Sequence, residues 1–160
     1  MSSREERVKV FEDTMKWCQD DDYLSASIDA AKKATTVYYE DDYPALPIKQ
    51  TVKTAITVSK DRSYQAAMRL VKENPGCKIA VLNFANAFHA GGGVTKGSSA
   101  QEECLCRTST LYPLLYRRTL RDSFYAHHIE LDTPKASDSL ICLLHNRNTQ
   151  CCKPKMDNVA

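Results

Sequence analysis

The sequence predicts an α/β fold, in which helices cover a sheet, and three observations point to it. Residues 78–84 form a near-continuous apolar run, the pattern of a central parallel strand that is buried on both faces. A β-branched segment and a helical pattern precede this run, so that strand, helix and strand follow one another. Three glycines and a further helical pattern come next, and this order favours right-handed crossover connections.

Two helices are predicted before the sheet. Residues 3–6 have the form of a capping box, which marks the start of a helix. The apolar residues that follow recur at steps of three and four and define one helix face: Val8, Phe11, Met15 and Cys18. The acidic run at residues 20–22 ends this helix, and a second helix is predicted over residues 24–35. Residues 40–47, which are acidic and contain two prolines, are predicted to be a loop.

The first strand is predicted at residues 54–58, a short β-branched segment. Asp61 is predicted to cap the helix that follows, and the Asn-Pro-Gly sequence at residues 74–76 is predicted to end it. The apolar residues predicted to lie on the buried side of this helix are Tyr64, Ala67, Met68 and Val71.

The helix after the glycines is predicted to begin near Ser98 or Ser99, where residues 99–102 again fit a capping box. Its core-facing residues are predicted at steps of three: Leu105, Thr108 and Leu111. Pro113 has no backbone N–H to donate, so the helix is predicted to end or kink near Tyr112.

Length, composition and charge restrict the class of protein. A chain of 160 residues suffices for one domain with a core, and 42% apolar and 26% charged residues are ordinary for a globular protein. The net charge of +2 argues against direct nucleic-acid binding and against a polybasic membrane patch. No apolar run approaches the roughly 18 residues of a membrane span. Seven cysteines without a secretion signal predict reduced thiols in an intracellular protein, cytoplasmic or nuclear.

Three glycines and two acids, close together in sequence, form the candidate site. Gly91, Gly92 and Gly93 lie beyond the carboxyl end of the predicted strand, where an open α/β sheet binds its ligand. Consecutive glycines indicate backbone with positive φ or close approach to a ligand, and a plain tight turn is the alternative. The spacing fits neither a P-loop nor a dinucleotide fingerprint, because the residues that these motifs require are missing.

Glu102 and Glu103 fall in the first turn of the predicted helix, where acids also complement the helix dipole without any further role. The amides of such a helix start favour anions such as a diphosphate. Consecutive helical residues point about 100° apart, so the two acids do not flank one bond as a matched pair. We expect one to carry a proton and the other to hold a hydroxyl group.

No metal or other cofactor is predicted. The residues that could be interpreted as metal ligands match no standard zinc spacing: Cys142, His145, Cys151 and Cys152. Asn83 and Asn86 flank the end of the strand, where asparagine acts as a turn residue, a cap or a ligand contact.

Taken together, Gly91-Gly92-Gly93, seven residues, and then Gln101-Glu102-Glu103 resemble the signature of the poly(ADP-ribose) glycohydrolases. Residues 81–85, 100–112, 7–14 and 61–70 are similar to the microbial-type branch of this family. The resemblance implies a macrodomain-like three-layer α/β/α fold with a mixed sheet, preceded by N-terminal helices. It also implies hydrolysis of the ribose–ribose O-glycosidic bonds of poly(ADP-ribose), with release of ADP-ribose. A module that binds ADP-ribose without turnover is the alternative.

The resemblance implies a role for each site residue. Glu103 would be the catalytic acid, which protonates the leaving ribose hydroxyl and then activates water. Glu102 would hold ribose hydroxyls and Asn86 would contact a ribose. The remaining implied substrate-binding residues line or shape the loop: Gly91, Gly92, Gly93 and Gln101. Neither a metal nor a cofactor is implied.

The resemblance covers about residues 4–140, and residues 141–160 are predicted to be a divergent tail. Since family members continue further, the chain is expected to hold the first part of the domain and to be truncated at its C-terminus. The expected partners are poly(ADP-ribose) or ADP-ribosylated proteins.

Overall fold

The computed structural model describes residues 2–39, 42 and 54–131, with the side chain of Leu131 excepted. The first α-helices of this part, in chain order, are α1 (Arg4–Asp20), α2 (Asp22–Ala34), α3 (Ser63–Glu73), α4 (Gln101–Thr108) and α5 (Leu111–Leu115). A 3₁₀ turn at Val94–Lys96 precedes α4. The last helical stretch consists of α6 (Arg118–Leu120), a π-helical turn (Arg121–Tyr125) and α7 (Ala126–Leu131).

The predicted α/β class, and with it the implied three-layer fold with a mixed sheet, is wrong for the described residues, which contain helices and no strand. Neither segment predicted to be a strand, 54–58 or 78–84, has a ladder partner there. Val58 is 96% exposed and Phe84 is 70% exposed. Apolar and β-branched residues fit a pleated, half-buried surface, but they do not form a strand without a neighbour that takes up the backbone hydrogen bonds.

The two N-terminal helices form as the sequence predicts. The hydroxyl of Ser3 accepts a bond from the Glu6 N–H at 3.1 Å, while the Glu6 carboxylate accepts from the Ser3 N–H at 2.7 Å. This is the predicted capping box. Asp21 both ends α1 and caps α2, since its carboxylate accepts a bond from the Leu24 N–H at 2.8 Å. A connection of one residue brings the buried faces of the two helices together, with Cys18 and Leu24 in one apolar cluster.

The main core lies between α1, the 3₁₀ turn, α4, α5 and the last helical stretch. Its buried residues are Phe11, Val94, Leu105, Cys106, Leu111, Leu115, Leu120, Phe124 and Tyr125. Full burial of a leucine or phenylalanine contributes roughly 1.5–3 kcal/mol, so this cluster is the main support of α4. Because α4 carries both predicted catalytic acids, the core fixes them with respect to the glycines before the 3₁₀ turn.

Two predicted helix starts are wrong. Ala100, not Ser99, precedes α4, and because alanine has no side-chain oxygen the helix begins without a side-chain cap. The Glu102 carboxylate, which was predicted to complete a capping box, bonds the Asn86 N–H instead. Arg62, not Asp61, precedes α3, and the Asp61 carboxylate pairs with Arg69 at 3.0 Å.

Pro113 lies inside α5 as its third residue. The first residues of a helix have no intrahelical acceptor for their N–H groups, so proline fits there. The break therefore comes earlier than predicted, at Ser109 and Thr110, between α4 and α5. The buried side predicted for α3 is also wrong in part, because Met68 and Val71 are exposed.

Candidate active site

The three glycines form a tight loop that leads from residue 90 into the 3₁₀ turn. The Gly92 N–H bonds the His89 carbonyl at 3.0 Å, and the Val94 N–H bonds the Gly91 carbonyl at 3.2 Å. Gly91 and Gly92 have φ of 70° and 54°, a region that costs other residues conformational energy. The predicted need for positive φ is therefore confirmed at these two positions.

Close approach of neighbouring groups explains glycine as much as φ does. A Cβ atom on Gly92 would lie 2.5 Å from Oε1 of Glu103, and one on Gly91 would lie 2.6 Å from the Tyr112 ring. A Cβ atom on Gly93, whose φ is −97°, would collide with the Ser98 hydroxyl. The loop is packed against carboxylate, ring and hydroxyl at successive residues, so a plain tight turn does not account for it.

Glu103 is 7% exposed and is held at one end of its carboxylate. Its Oε1 accepts a hydrogen bond from the Gly93 N–H at 2.9 Å. Its Oε2 is buried and has no hydrogen-bond partner among the described residues. One oxygen is thus fixed by the glycine loop, and the other keeps its capacity for a hydrogen bond unused within the described residues.

Glu102 is 3% exposed and both of its oxygens are engaged. Oε2 accepts a bond from the Asn86 N–H at 2.9 Å, and Oε1 lies 3.4 Å from the donor Nδ2 of Asn83. The Gly91 N–H lies close enough to this carboxylate to oppose an increase of its pKa. Burial raises the pKa of Glu102, these donors oppose the increase, and the neighbouring Glu103 carboxylate adds to it. The two adjacent acids therefore differ in environment, as the expected division of roles requires.

The amides of the glycine loop serve the protein itself. Gly92 donates to the His89 carbonyl and Gly93 to Glu103, while the Gly91 N–H lies near the Glu102 carboxylate. The positions that Cβ atoms of these glycines would take are filled by Tyr112, Glu103 and Ser98.

Asn86 links this loop to the carboxylates through its backbone, and its side chain closes a turn. The carboxamide oxygen accepts bonds from the N–H groups of Phe88 at 2.9 Å and His89 at 2.8 Å. Asn86 is itself exposed. Its contact with a ribose stays a prediction. Asn83, the other asparagine at the end of the predicted strand, is buried and donates to Glu102.

Gln101 binds the segment that was predicted to be a strand. Its Oε1 accepts a bond from the Phe84 N–H at 2.9 Å, and its Nε2 donates to the Leu82 carbonyl at 2.7 Å. Nε2 also lies 3.2 Å from the Ser63 hydroxyl at the start of α3. The carboxamide therefore bonds the backbone of residues 82 and 84 as a neighbouring strand would, and it ties this segment to α3 and α4.

Aromatic rings close one side of the glycine loop. Tyr112 packs edge-on against Phe11, with ring centroids 4.9 Å apart, and stacks on Tyr116 at 5.3 Å. Tyr116 is 55% exposed and has the Arg121 guanidinium 5.6 Å from its ring centroid. The four-residue spacing of the tyrosines indicates a shared helix face, but nothing in the sequence indicates that Tyr112 contacts Gly91.

Two arginines at the site were missed by sequence reasoning. Arg7 on α1 donates to the Gly97 carbonyl at 2.6 Å, and Arg107 on α4 donates to the Ser98 carbonyl at 2.6 Å. Both bond the segment between the glycines and α4. The contact of Arg7 spans 90 residues of sequence, so no local pattern could have revealed it.

Within residues 2–39, 42 and 54–131, no group of three or more histidine, cysteine or acidic side chains could hold a metal ion. The possible ligands from Cys142 to Cys152 lie outside the described residues. None of the four cysteines of the described part forms a disulfide: Cys18, Cys77, Cys104 and Cys106. No helix of the described part has the length and apolar character of a membrane span.

Comparisons with known proteins point in one direction. The model of the microbial-type PARG (poly(ADP-ribose) glycohydrolase) catalytic domain matches residues 5–143. The chain is 30% identical to the crystal structure of poly(ADP-ribose) glycohydrolase from Thermomonospora curvata bound to the inhibitor ADP-HPD. The TM-score is 0.66, and the match covers 81% of this chain and 49% of that one.

A second crystal structure of the Thermomonospora curvata enzyme is 24% identical, with a TM-score of 0.60, and the match covers 81% of this chain and 51% of that one. At this identity the likeness concerns the fold alone. The chain spans about half the length of both solved structures. Among curated proteins, none matches the chain.

The family match extends over the glycine loop, the two buried carboxylates and the helices that hold them. It confirms the family resemblance derived from the sequence. This chain belongs to the family of the microbial-type PARG catalytic domain.

Proposed function

We propose that the chain hydrolyses the ribose–ribose O-glycosidic bonds of poly(ADP-ribose) and releases ADP-ribose, with Glu103 as the proton carrier. The observation that carries the proposal is the asymmetric environment of this carboxylate. Oε1 is fixed by the Gly93 N–H, and Oε2 is buried without a partner among the described residues. A general acid must be held in place and must also leave one oxygen free for the reacting group.

In the proposed reaction, the Glu103 carboxyl gives its proton to the ribose oxygen that leaves as the C–O bond breaks. Positive charge then develops at the anomeric carbon, as in other glycoside hydrolyses. The Glu103 carboxylate next accepts a proton from water while the water oxygen bonds to that carbon. The carboxyl regains its proton, so one water is consumed and one new chain end is formed.

Glu102 is proposed to hold the hydroxyl groups of the reacting ribose. Its oxygens are oriented by the Asn86 N–H and the Asn83 carboxamide, and this orientation supports a positioning role. A carboxylate oxygen accepts more than one hydrogen bond, so these contacts leave acceptor capacity for hydroxyl groups. Gly92 and Gly93 are proposed to lie against the diphosphate and the ribose, because no side chain there keeps a ligand from the backbone.

Substrate binding beyond this centre is proposed to involve the other residues of the motif. Asn86 is proposed to contact a ribose, and Gly91 is proposed to keep the loop in the curved form that exposes it. Gln101 is proposed to shape the loop through its bonds to residues 82 and 84. The proposed partners are poly(ADP-ribose) itself and proteins that carry it, in an intracellular compartment, cytoplasmic or nuclear.

The experiment measures ADP-ribose release from purified poly(ADP-ribose) and, in parallel, ADP-ribose binding by calorimetry. Glu103→Gln is expected to lower turnover by about 10²- to 10⁴-fold, the usual contribution of a general acid, while binding persists. Glu12→Gln, on the exposed side of α1, is the matched control and is expected to keep wild-type turnover.

Each outcome decides between hydrolysis and binding alone. Wild-type turnover in Glu103→Gln would show that another group carries the proton. Binding of ADP-ribose by the unmutated chain without any release would instead select the alternative, a module that recognises ADP-ribose and does not cleave it. If the unmutated chain neither binds nor releases ADP-ribose, both the hydrolase and the binding module are ruled out.

A further inference from the structure

We propose that Arg7 is a positioning residue of the hydrolytic site: from α1 it fixes the segment that joins the glycine loop to α4, and so it sets the position of Glu103. The inference rests on the proposed function for its kinetic consequence. The contacts that carry it are independent of any substrate.

One face of α1 lies along the segment of residues 94–100. The Arg7 guanidinium donates from Nε to the Gly97 carbonyl at 2.6 Å and from a terminal nitrogen to the Ser2 carbonyl. Two turns further along α1, the Thr14 hydroxyl donates to the Arg107 carbonyl at the end of α4, at 2.6 Å. These bonds span 90 and 93 residues of sequence, and they tie the segment before α4 and the C-terminal end of α4 to the same helix.

Gly97 is shaped to receive this contact. It is buried, and its φ of 73° is a left-handed conformation that ends the 3₁₀ turn and favours glycine. A Cβ atom there would collide with the Arg4 carbonyl, so the first turn of α1 packs directly on the Gly97 backbone. The approach is too close for a side chain at residue 97.

A short path leads from this contact to the proposed acid. The Ser98 N–H, on the peptide unit whose carbonyl Arg7 binds, donates to the Gly93 carbonyl at 3.1 Å. The Gly93 N–H in turn donates to Oε1 of Glu103 at 2.9 Å. A shift of the Gly97 carbonyl therefore moves Gly93 and, with it, the bond that fixes the carboxylate.

Arg107 supports the same segment from the other side. Its guanidinium is buried, donates to the Ser98 carbonyl at 2.6 Å and lies 3.5 Å from the Cys104 sulfur. Two successive carbonyls, those of Gly97 and Ser98, are thus each held by an arginine. Hydrogen bonds from a charged donor are the stronger kind, so together they make the segment rigid.

The experiment replaces Arg7 by methionine, which keeps the aliphatic stem and removes the donors. Lys9→Met, on the exposed side of the same helix, is the matched control. Loss of the charge-assisted bond to the Gly97 carbonyl is expected to lower kcat by about ten- to hundredfold, with KM within about twofold of wild type. Amide hydrogen exchange at Gly93, Gly97 and Ser98 is expected to rise about tenfold while exchange in α2 is unchanged. Arg7→Lys, which restores one donor, is expected to recover part of both effects.

The result that would overturn the inference is unchanged exchange at these three amides, or an equal rise throughout the chain. Unchanged kcat alongside faster exchange would overturn the claim that the contact positions Glu103. If the unmutated chain releases no ADP-ribose, the proposed function fails. The exchange measurement then decides by itself whether Arg7 fixes the segment.

Discussion

Gly92→Ala separates backbone strain from damage to the proposed catalytic carboxylate. The φ of Gly92 is +54°, where an L-residue costs roughly 1–2 kcal/mol relative to glycine. The new Cβ atom would also lie 2.5 Å from Oε1 of Glu103. Since ordinary contact begins at 3.4 Å, the carboxylate has to retreat by about 0.9 Å.

The collision is expected to lower turnover as well as stability. Misplacement of a reacting group by about 1 Å costs on the order of 10²-fold in rate. Displacement of the carboxylate also breaks its 2.9 Å bond to the Gly93 N–H. We expect kcat to fall about 100-fold, and the free energy of unfolding to fall by roughly 2–3 kcal/mol, the strain at positive φ together with the lost hydrogen bond.

Gly76→Ala is the matched control. Gly76 has a φ of 86°, and a Cβ atom on it would have no neighbour within 4 Å, so alanine there meets strain without a collision. Denaturant unfolding measures the stability of both variants, and ADP-ribose release from poly(ADP-ribose) measures their activity. Gly76→Ala is expected to lose only the roughly 1–2 kcal/mol of backbone strain, less than Gly92→Ala loses, and to retain wild-type kcat.

Full kcat in Gly92→Ala, despite its loss of stability, would refute the expected displacement effect. In that case turnover tolerates a displacement of the Glu103 carboxylate, and glycine at residue 92 is not needed to keep that carboxylate in place. Equal loss of kcat in both glycine variants would also refute it, because strain without collision would then suffice.

Three further predictions test the environment of the site. Burial raises the pKa of Glu102, so the folded chain keeps a proton at pH values where the unfolded chain has lost it. Stability should therefore fall as pH rises from the ordinary glutamate pKa to the raised one, and thermal melts of Glu102→Gln should show a flatter dependence. Burial also raises the pKa of the Cys106 thiol, so mass spectrometry after native alkylation should find Cys77 modified and Cys106 intact until denaturation. Gly97→Ala should lower the free energy of unfolding by roughly 2–4 kcal/mol through positive φ and collision with the Arg4 carbonyl, measured in denaturant; a loss below about 0.5 kcal/mol would contradict the packing described.

Local sequence signals predicted the N-terminal part of the fold well. The capping box at residues 3–6 forms, and Phe11 and Cys18 are buried as their spacing predicts. These features depend on residues within one or two helical turns of each other, so a local sequence pattern is enough to predict them. The family signature from Gly91 to Glu103 likewise identified the family, which the match over residues 5–143 confirms.

The predicted sheet failed because a strand depends on a partner that the local sequence does not contain. At residues 82 and 84 the backbone bonds the Gln101 side chain instead of another strand. The same limit applies to α3, where Met68 and Val71 have helical spacing but are exposed. Apolar periodicity reports a capacity for burial, and burial itself requires an opposing surface.

The family signature identified the site residues, but it did not identify the residues and hydrogen bonds that hold them in place. The sequence placed Glu102 and Glu103 in one helical turn, but their different hydrogen bonds arise from the loop at residues 83–93. The contact between Arg7 and the Gly97 carbonyl joins segments 90 residues apart. Such contacts depend on how elements pack and have no local sequence signal.

The most direct test of the central claim is single-turnover release of ADP-ribose from poly(ADP-ribose) by the unmutated chain and by Glu103→Gln, with enzyme in excess. When the enzyme concentration is also raised until the rate constant no longer increases, differences in binding and product release do not affect the comparison. We predict release by the unmutated chain and a rate constant about 10²- to 10⁴-fold lower for the variant. Equal rate constants for the two chains would contradict the assignment of Glu103 as the proton carrier.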